Sequence, residues 1–133
     1  MFWALKNLGY ICRERGDHSQ AIIILRQALA LAERLNNRLL QGTVYNEIGN
    51  VYKDQGNYPQ SMEYYKRSLR DGYYEDDQDL ALGYGNLGIV YFSQGDFPNA
   101  RTHFERAINL CHKLGDSYQL AMWSNHLGNV FLE

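Results

Sequence analysis

Apolar side chains recur along the chain at the spacing that places them on one face of an α-helix. Leu5, Leu8 and Cys12 are three and then four positions apart. The same spacing returns at Tyr45, Ile48 and Tyr52. Spacing of this kind indicates amphipathic helices rather than strands. The pattern predicts seven helices, over about residues 2–14, 18–35, 40–54, 58–71, 78–93, 97–114 and 118–132.

An apolar residue followed by glycine recurs about every 40 residues within these predicted helices. The four pairs are Leu8-Gly9, Ile48-Gly49, Leu87-Gly88 and Leu127-Gly128. A second glycine follows each of the first three pairs, as Gly16, Gly56 and Gly95. A fixed period indicates a repeat protein, in which each unit buries its hydrophobic face against its neighbour.

Each second glycine is predicted to end one helix and to begin a turn, because a residue without Cβ readily adopts the left-handed conformation that terminates helices. The residue that follows is Asp17, Asn57 or Asp96, which are side chains that cap helix N-termini. Pro59 and Pro98 suit the first turn, where a missing N–H loses nothing. The sequence therefore predicts pairs of helices joined by tight turns.

The second helix of each predicted pair carries a large side chain between two small ones. The three sets are Ala21, Leu25 and Ala28; Ser61, Tyr65 and Ser68; and Ala100, Phe104 and Ala107. Small residues allow two helices to approach closely. A glycine inside a helix costs about 1 kcal/mol, so its recurrence in the first helices predicts tight packing that offsets this cost. The positions concerned are Gly9, Gly49, Gly88 and Gly128.

These motifs, Leu-Gly-x-x-Tyr, Gly-Asp/Asn and small-aromatic-small, resemble the tetratricopeptide repeat over essentially the whole chain. The resemblance implies an all-α fold, a right-handed α-solenoid of antiparallel helix pairs with about three and a half units. The period of about 40 residues differs from the common one of about 34 and resembles a variant found in polarity-scaffold and bacterial signalling proteins. We expect one domain over residues 1–133, as an excerpt of a longer array. Its units would span about 2–39, 40–77 and 78–117, followed by a half repeat or capping helix at 118–133.

The resemblance also implies a peptide-binding groove, because the first helix of each tetratricopeptide unit lines the concave surface. The inward positions would be Lys6, Tyr10, Asn46, Asn50, Gly85, Ile89, Asn125 and Asn129. Arg13 and Lys53 would add cations to the same surface. Each Asn amide both donates and accepts hydrogen bonds, so spaced amides can hold an extended peptide backbone without dictating its side chains.

Two other interpretations of the groove positions stay open. The Asn residues can be solvated helix positions, or they can bridge neighbouring repeats. Some proteins of the family bind a C-terminal carboxylate with a clamp of Lys and Asn. Lys6 matches one clamp position, but Tyr10 stands where the companion Asn is needed, and no second cation completes the clamp.

Composition narrows the class of partner. The chain is 45% apolar and 21% charged with a formal net charge of -2, which is globular composition without a basic run for nucleic acid or an anionic membrane. Its two cysteines, Cys12 and Cys111, are predicted to be buried reduced thiols. Neither a secretory leader nor an apolar run of about 18 residues is present. The sequence predicts a cytoplasmic protein with a protein or peptide partner.

The motifs that could carry chemistry are weak. Gly83-Tyr-Gly85-Asn-Leu-Gly88 matches the dinucleotide fingerprint only formally, because no strand precedes it. The histidines lack metal-ligand spacing, and the acidic segment at 75–79 lacks the spacing of a calcium loop, so it is interpreted as a solvated loop. We therefore predict no catalysis, no cofactor and no metal site.

Two functions remain. The first is a non-catalytic protein-interaction module whose groove binds a peptide segment of a partner or of another domain of the same protein. The second is an architectural or self-assembling repeat segment that oligomerises through its exposed terminal helix, 118–132. Trp123, Leu127, Val130 and Phe131 predict an apolar edge on that helix.

Overall fold

A computed structural model describes residues 1–69 and 77–132, except for the side chain of Asp79. Within these residues the chain has seven α-helices and no strand. The helices are α1 (Phe2–Glu14), α2 (His18–Arg34), α3 (Arg38–Asp54), α4 (Tyr58–Ser68), α5 (Asp77–Ser93), α6 (Phe97–Leu114) and α7 (Ser117–Leu132). The predicted helices are confirmed, with ends that shift by a few residues.

The helices form two compact units, Met1–Tyr73 and Tyr74–Glu133. In the first unit α1 packs against α2, α2 against α3, and α3 against α4. In the second unit α5 packs against α6, and α6 against α7. Each unit has a hydrophobic core of its own, to which its helices contribute alternately large and small side chains.

The predicted turns are confirmed by three glycines between paired helices. Their left-handed φ angles are 80° at Gly16, 76° at Gly56 and 80° at Gly95. The side chain that follows each glycine accepts a hydrogen bond from a backbone N–H in the first turn of the next helix. These caps are Asp17, Asn57 and Asp96. The local sequence therefore determines where each second helix begins.

The connection between α2 and α3 uses asparagine instead of glycine. Asn36 has a φ of 53°, which asparagine tolerates better than most residues. Asn37 then caps α3, since its Oδ1 accepts a hydrogen bond from the N–H of Leu40 at 3.1 Å. This cap explains why α3 begins at Arg38, earlier than predicted.

The predicted tight packing is confirmed at three of the four helix glycines, each of which receives a large side chain from the paired helix. A Cβ would lie 2.7 Å from Leu25 at Gly9, 2.7 Å from Tyr65 at Gly49, and 2.6 Å from Phe104 at Gly88. Side chains cannot approach that closely, so only glycine fits. The small residues beside these contacts are buried, and the Ser61 hydroxyl donates to the carbonyl oxygen of Gly49 at 2.8 Å. A serine is therefore satisfied in this core.

The fourth glycine does not follow this pattern. Gly128 is exposed, and a Cβ there would meet no atom within 4 Å. The prediction of tight packing at Gly128 is wrong. Within residues 77–132 no helix covers α7 in the way that α6 covers α5.

The prediction of an exposed apolar edge on α7 is wrong for most of the residues named, because they are buried or half-buried. Trp123 is 1% exposed and Val130 is 8% exposed, because both pack with Phe104 in the core of the second unit. Leu127 is half-buried against the same core. Phe131, by contrast, is 62% exposed.

Candidate functional site

The predicted groove residues are divided between the two units. Lys6, Tyr10, Arg13, Asn46, Asn50 and Lys53 lie in the first unit, and Asn125 and Asn129 lie in the second. Each unit therefore presents its own candidate surface.

In the first unit, charged side chains of α1 and α3 face each other. The Nε atom of Arg13 lies 2.6 Å from Oδ2 of Asp54, and the two side chains are 17% and 33% exposed. Lys6 and Arg13 are also close enough to Glu47 for their positive charges to act on it. We call the surface formed by Lys6, Arg13, Glu47 and Asp54 the α1–α3 polar face. Arg13 is thus a cation that already has a carboxylate partner.

Glu47 was not among the predicted groove residues. Its Oε2 atom is buried and has no hydrogen-bond partner among the described residues. Burial raises the pKa of Glu47, and the charges of Lys6 and Arg13 oppose that rise. A buried polar oxygen without a donor is costly to the folded state. Glu47 is therefore an unsatisfied acceptor within the α1–α3 polar face.

Two predicted groove residues on α3 are engaged within the unit. The hydroxyl of Tyr65 donates a hydrogen bond to Oδ1 of Asn50. Burial raises the pKa of Tyr65, which keeps this hydroxyl protonated. Burial also lowers the pKa of Lys53, although the nearby carboxylate of Asp54 acts in the opposite direction. The Asn50 amide oxygen is therefore already engaged in a hydrogen bond within the unit.

The other predicted residues of the first unit differ in exposure. Tyr10 is 49% exposed, with its ring centroid 6.0 Å from the guanidinium carbon of Arg13. The ammonium group of Lys6 lies 5.6 Å from the ring centroid of Trp3. Asn46 is half-buried and already interacts with another residue. This part of the surface mixes aromatic rings with cations.

The second unit contains a cleft between α5 and α7. It has a volume of about 210 Å³ and is lined by Ile89, Phe92, Phe104, His126 and Asn129. We call it the α5–α7 cleft. The imidazole of His126 stacks on Phe104, with ring centroids 5.5 Å apart and planes 12° apart. A cleft with apolar walls, one amide and one imidazole suits a peptide residue that has an apolar side chain and a backbone group in need of a hydrogen-bond partner.

Two predicted groove positions of the second unit lie in this cleft, and two do not. Ile89 and Asn129 line it. Asn125 is exposed on α7 outside the lining. Gly85 is buried beneath Trp123, since a Cβ there would lie 2.2 Å from Cζ2 of the indole. Gly85 is therefore a packing residue.

The dinucleotide-like motif has the structural role that its context indicated. Residues 83–88 lie in the middle of α5, so no strand or turn precedes its glycines. Gly85 contacts Trp123, and Gly88 contacts Phe104. The glycines allow helix packing, and a phosphate has no place at them.

Glu47 and His126 occupy a register position of the repeat that is polar in all four units. Both stand two residues before a glycine of the repeat, and Asn7 and Asn86 occupy the same position in the other repeats. A polar side chain thus recurs beside the apolar stripe. Asn86 is 7% exposed, so this register position points inward in at least one unit.

Other candidate chemistry is sparse in the described residues. They contain no group of three or more potential metal ligands and no helix long and apolar enough to cross a membrane. Cys111 is buried, Cys12 is half-buried, and both are free thiols. The acidic segment at 75–79 lies partly outside the described residues, and its Asp77 carboxylate is 3.0 Å from the ammonium group of Lys113.

Replacing Glu47 with glutamine is expected to stabilise the protein at neutral pH. Because burial raises the pKa of Glu47 above its ordinary value of 4.5, the folded parent loses stability as the pH rises from that value through the raised one. Glutamine has no charge to bury. Thermal melts across pH should show a higher melting temperature for the variant at pH 7 and a difference that vanishes below about pH 4.

Glu63→Gln is the matched control, because Glu63 is 52% exposed and forms a salt bridge with Arg67 on its own helix. At every pH, this variant and the parent should have nearly the same melting temperature. A Glu47→Gln variant that melts below the parent at pH 7 would mean that attraction from Lys6 and Arg13 outweighs burial.

A family model described as "Tetratricopeptide repeat" matches residues 1–71 and 79–133. The matched stretches cover most of the chain, and only the first two residues of α5 among the seven helices lie outside them. The sequence matches none of the curated proteins.

Three solved structures share the fold. BtubC (BKLC) from P. vanneervenii has a TM-score of 0.87 and 23% identity, over 96% of this chain and 53% of that one. The tetratricopeptide repeat domain of Arabidopsis FLU has a TM-score of 0.75 and 18% identity, over 84% and 95% of the two chains. The N-terminal domain of stress-induced protein-1 from C. elegans has a TM-score of 0.71 and 19% identity, over 93% and 92%. The chain spans about half the length of BtubC, and these identities support the fold alone.

Proposed function

The chain belongs to the tetratricopeptide repeat family, and on this premise we propose that it is a non-catalytic module that binds a peptide segment of a partner protein. Domains of this family generally mediate protein–protein interactions. The observation that carries the finer proposal is the α5–α7 cleft, which combines apolar walls with the amide of Asn129. The proposed partner is a cytoplasmic polypeptide, either a separate protein or another domain of the same protein.

The cleft favours a peptide that inserts an apolar side chain. Ile89, Phe92 and Phe104 offer apolar surface that is half-buried or buried before any ligand arrives. Each Å² of apolar surface removed from water contributes about 25 cal/mol. Asn129 is exposed at the rim, where its amide can donate to a peptide carbonyl and accept from a peptide N–H. The side chain provides affinity, and the amide orients the backbone.

The α1–α3 polar face supports a second type of contact. The buried Oε2 of Glu47 lacks a donor, and an N–H of a peptide backbone or a basic side chain would supply one. Lys6 lies beside it and can meet a peptide carbonyl or carboxylate. This face favours polar peptide segments of mixed charge over uniformly charged ones, because it holds both cations and carboxylates.

Changing Ile89 to Gln together with Asn129 to Ala should weaken binding of display-selected peptides at least tenfold, or about 1.4 kcal/mol. The double change puts a polar group on the wall of the cleft and removes the amide at its rim. Peptides would first be enriched on the parent from a proteomic display library, and affinities then measured by calorimetry for both proteins.

The matched control carries Ile23→Gln and Asn109→Ala. Both residues are exposed, on α2 and α6, and neither lines the cleft. Its affinities should equal those of the parent. Equal losses in the two variants would place binding elsewhere, and a parent that enriches no peptide would argue against the proposed function itself.

A further inference from the structure

Among the described residues that line the α5–α7 cleft, one has a charge that changes near neutral pH. Ile89, Phe92, Phe104 and Asn129 are uncharged at any pH, whereas His126 can take up a proton. Histidine gains this proton, and with it a positive charge, as the pH falls from about 8 to about 5. The cleft therefore has two forms, one neutral and one with a positive charge in its wall.

Aromatic rings hold the imidazole of His126 in place. Its plane lies 12° from that of Phe104 with ring centroids 5.5 Å apart, and its centroid is 5.5 Å from that of Trp123. Both supporting rings are buried, and His126 has further interactions within the protein. Because the face of an aromatic ring attracts a cation, these rings favour the imidazolium as well as the neutral ring. Protonation thus changes the charge of the cleft without expelling His126 from its wall.

The two helices that form the cleft add little charge around His126. Residues 80–93 of α5 and 117–132 of α7 contain no Asp, Glu, Lys or Arg. Their titratable side chains other than His126 are Tyr84, Tyr91 and Tyr118. Asp116, which caps α7, precedes His126 by ten residues, or about 15 Å of helix.

The charged and titratable groups of α6 near Phe104 have partners of their own. These are Arg101 and Glu105, which form a salt bridge at 3.0 Å, His103, whose ring lies 5.0 Å from that of Tyr91, and Arg106, which lies 5.6 Å from the ring of Tyr84. A proton on His126 therefore decides the sign of the charge in the cleft.

Asn129 supplies a second donor beside His126. The two residues are three positions apart on α7, which places them on one face of the helix, and both line the cleft. The imidazolium donates from its N–H groups and the amide from its NH2 group, so the pair matches the two oxygens of a carboxylate. A hydrogen bond between charged partners is stronger than a neutral one. Helix α3 has Glu47 and Asn50 at the equivalent positions, where a carboxyl group replaces the imidazole.

We propose that His126 determines the specificity of the α5–α7 cleft by selecting, in its protonated form, a peptide with an acidic side chain next to its apolar anchor. The inference rests on the proposed function, because it assumes that the cleft binds a peptide. The apolar anchor would contact Ile89 and Phe92, and the carboxylate would accept hydrogen bonds from His126 and Asn129. A basic side chain at the same place would be repelled. Affinity for the acidic peptide therefore rises as the pH falls through the range in which histidine gains its proton.

The probes are pairs of short peptides with blocked ends that differ only in Glu or Gln beside an apolar anchor residue. Their sequences come from display selection on the parent protein at about pH 5.5, and calorimetry then gives their affinities at about pH 5.5 and about pH 7.5. A peptide carboxylate stays ionised over this range, whereas histidine changes form. The Glu peptides should bind about fivefold more tightly at the lower pH, and the Gln peptides should show no such gain.

His126→Phe is the test variant, because phenylalanine keeps a ring on Phe104 and cannot take up a proton. It should bind Glu peptides with equal affinity at the two pH values. His126→Gln, which adds no apolar surface, should lose the gain in the same way. His112→Gln is the matched control, since His112 is exposed on α6 and does not line the cleft, and it should keep the gain of the parent. A gain that persists in both His126 variants would overturn the proposal.

The outcomes separate this inference from the proposed function. Peptides that bind the parent but gain no affinity from Glu at the lower pH would leave the cleft as a peptide site and overturn the role of His126. A parent that enriches no peptide would overturn both proposals. Titration of Glu47 acts on Glu and Gln peptides alike, so the comparison between the two sets removes its effect.

Discussion

Replacing Gly49 with leucine is expected to destabilise the protein strongly and to lower its melting temperature. A Cβ at this position would lie 2.7 Å from two ring carbons of Tyr65, and the rest of the side chain would need the volume that the ring fills. Tyr65 is fully buried and donates its hydroxyl to Asn50, so it cannot move away without loss. Overpacking a core costs about 1–3 kcal/mol and sometimes more, out of a total stability of about 5–15 kcal/mol. Thermal melts followed by circular dichroism measure the effect.

Gly128→Leu is the matched control, since it makes the same substitution at the same position of the repeat in an open environment. Its stability should equal that of the parent or exceed it by up to about 1 kcal/mol, because leucine favours a helix more than glycine does. If Gly49→Leu melts like the parent, Tyr65 does not occupy Gly49 and the helix pairing is wrong. If both variants lose stability equally, the loss does not come from the contact between Gly49 and Tyr65.

Gly49 and Gly128 also show what the repeat pattern can and cannot predict about packing. The sequence predicts correctly that Gly9, Gly49 and Gly88 pack tightly against the paired helix, because spacing within a helix and a short turn determine which faces meet. It predicts the wrong environment for Gly128, although the residue has the same register. Burial depends on whether a second helix is present, and a residue's own position in the pattern carries no information about that.

Trp123 illustrates the opposite error. Its place on α7 suggests exposure, yet it is buried because Gly85 leaves a space for the indole on α5. Gly85 lies three residues before the repeat glycine. At that position the other repeats have a larger residue, which is Lys6, Asn46 or Asn125. The sequence signal for this burial was a small residue, Gly85, and a large one, Trp123, that depart from the repeat pattern in adjacent repeats. Pairing them requires knowledge of which helices pack together.

The candidate surfaces could be predicted in part. Asn129 and Ile89, which the register assigns to the predicted groove, both line the α5–α7 cleft. Glu47 was missed because its character depends on burial and on Lys6 and Arg13 of another helix, which periodicity does not report. Asn50 appeared equivalent to Asn129 in the sequence, but Tyr65 lies within reach of its oxygen.

Replacing Trp123 with alanine is expected to destabilise the second unit by about 3–5 kcal/mol. The indole is 1% exposed, stacks on Phe104 at 6.0 Å between ring centroids, and donates from Nε1 to Oε1 of Gln119 at 3.1 Å. The change leaves a cavity and removes a hydrogen-bond partner from Gln119, which is itself buried. Urea denaturation followed by circular dichroism gives the free energy of unfolding without relying on tryptophan fluorescence. Trp3→Ala is the control, since Trp3 is 57% exposed and should cost under about 1 kcal/mol.

The contact between Trp123 and Gly85 predicts that the effect of Gly85→Ala changes sign with its partner. In the parent a Cβ at Gly85 would lie 2.2 Å from the indole, so alanine there should destabilise the protein. In the Trp123→Ala background the obstacle is gone, and alanine should stabilise α5 by about 0.5–1 kcal/mol, because glycine inside a helix is unfavourable. A double-mutant cycle measures this coupling directly. Equal effects of Gly85→Ala in the two backgrounds would show that the indole does not lie on Gly85, and the core of the second unit would then need a different arrangement.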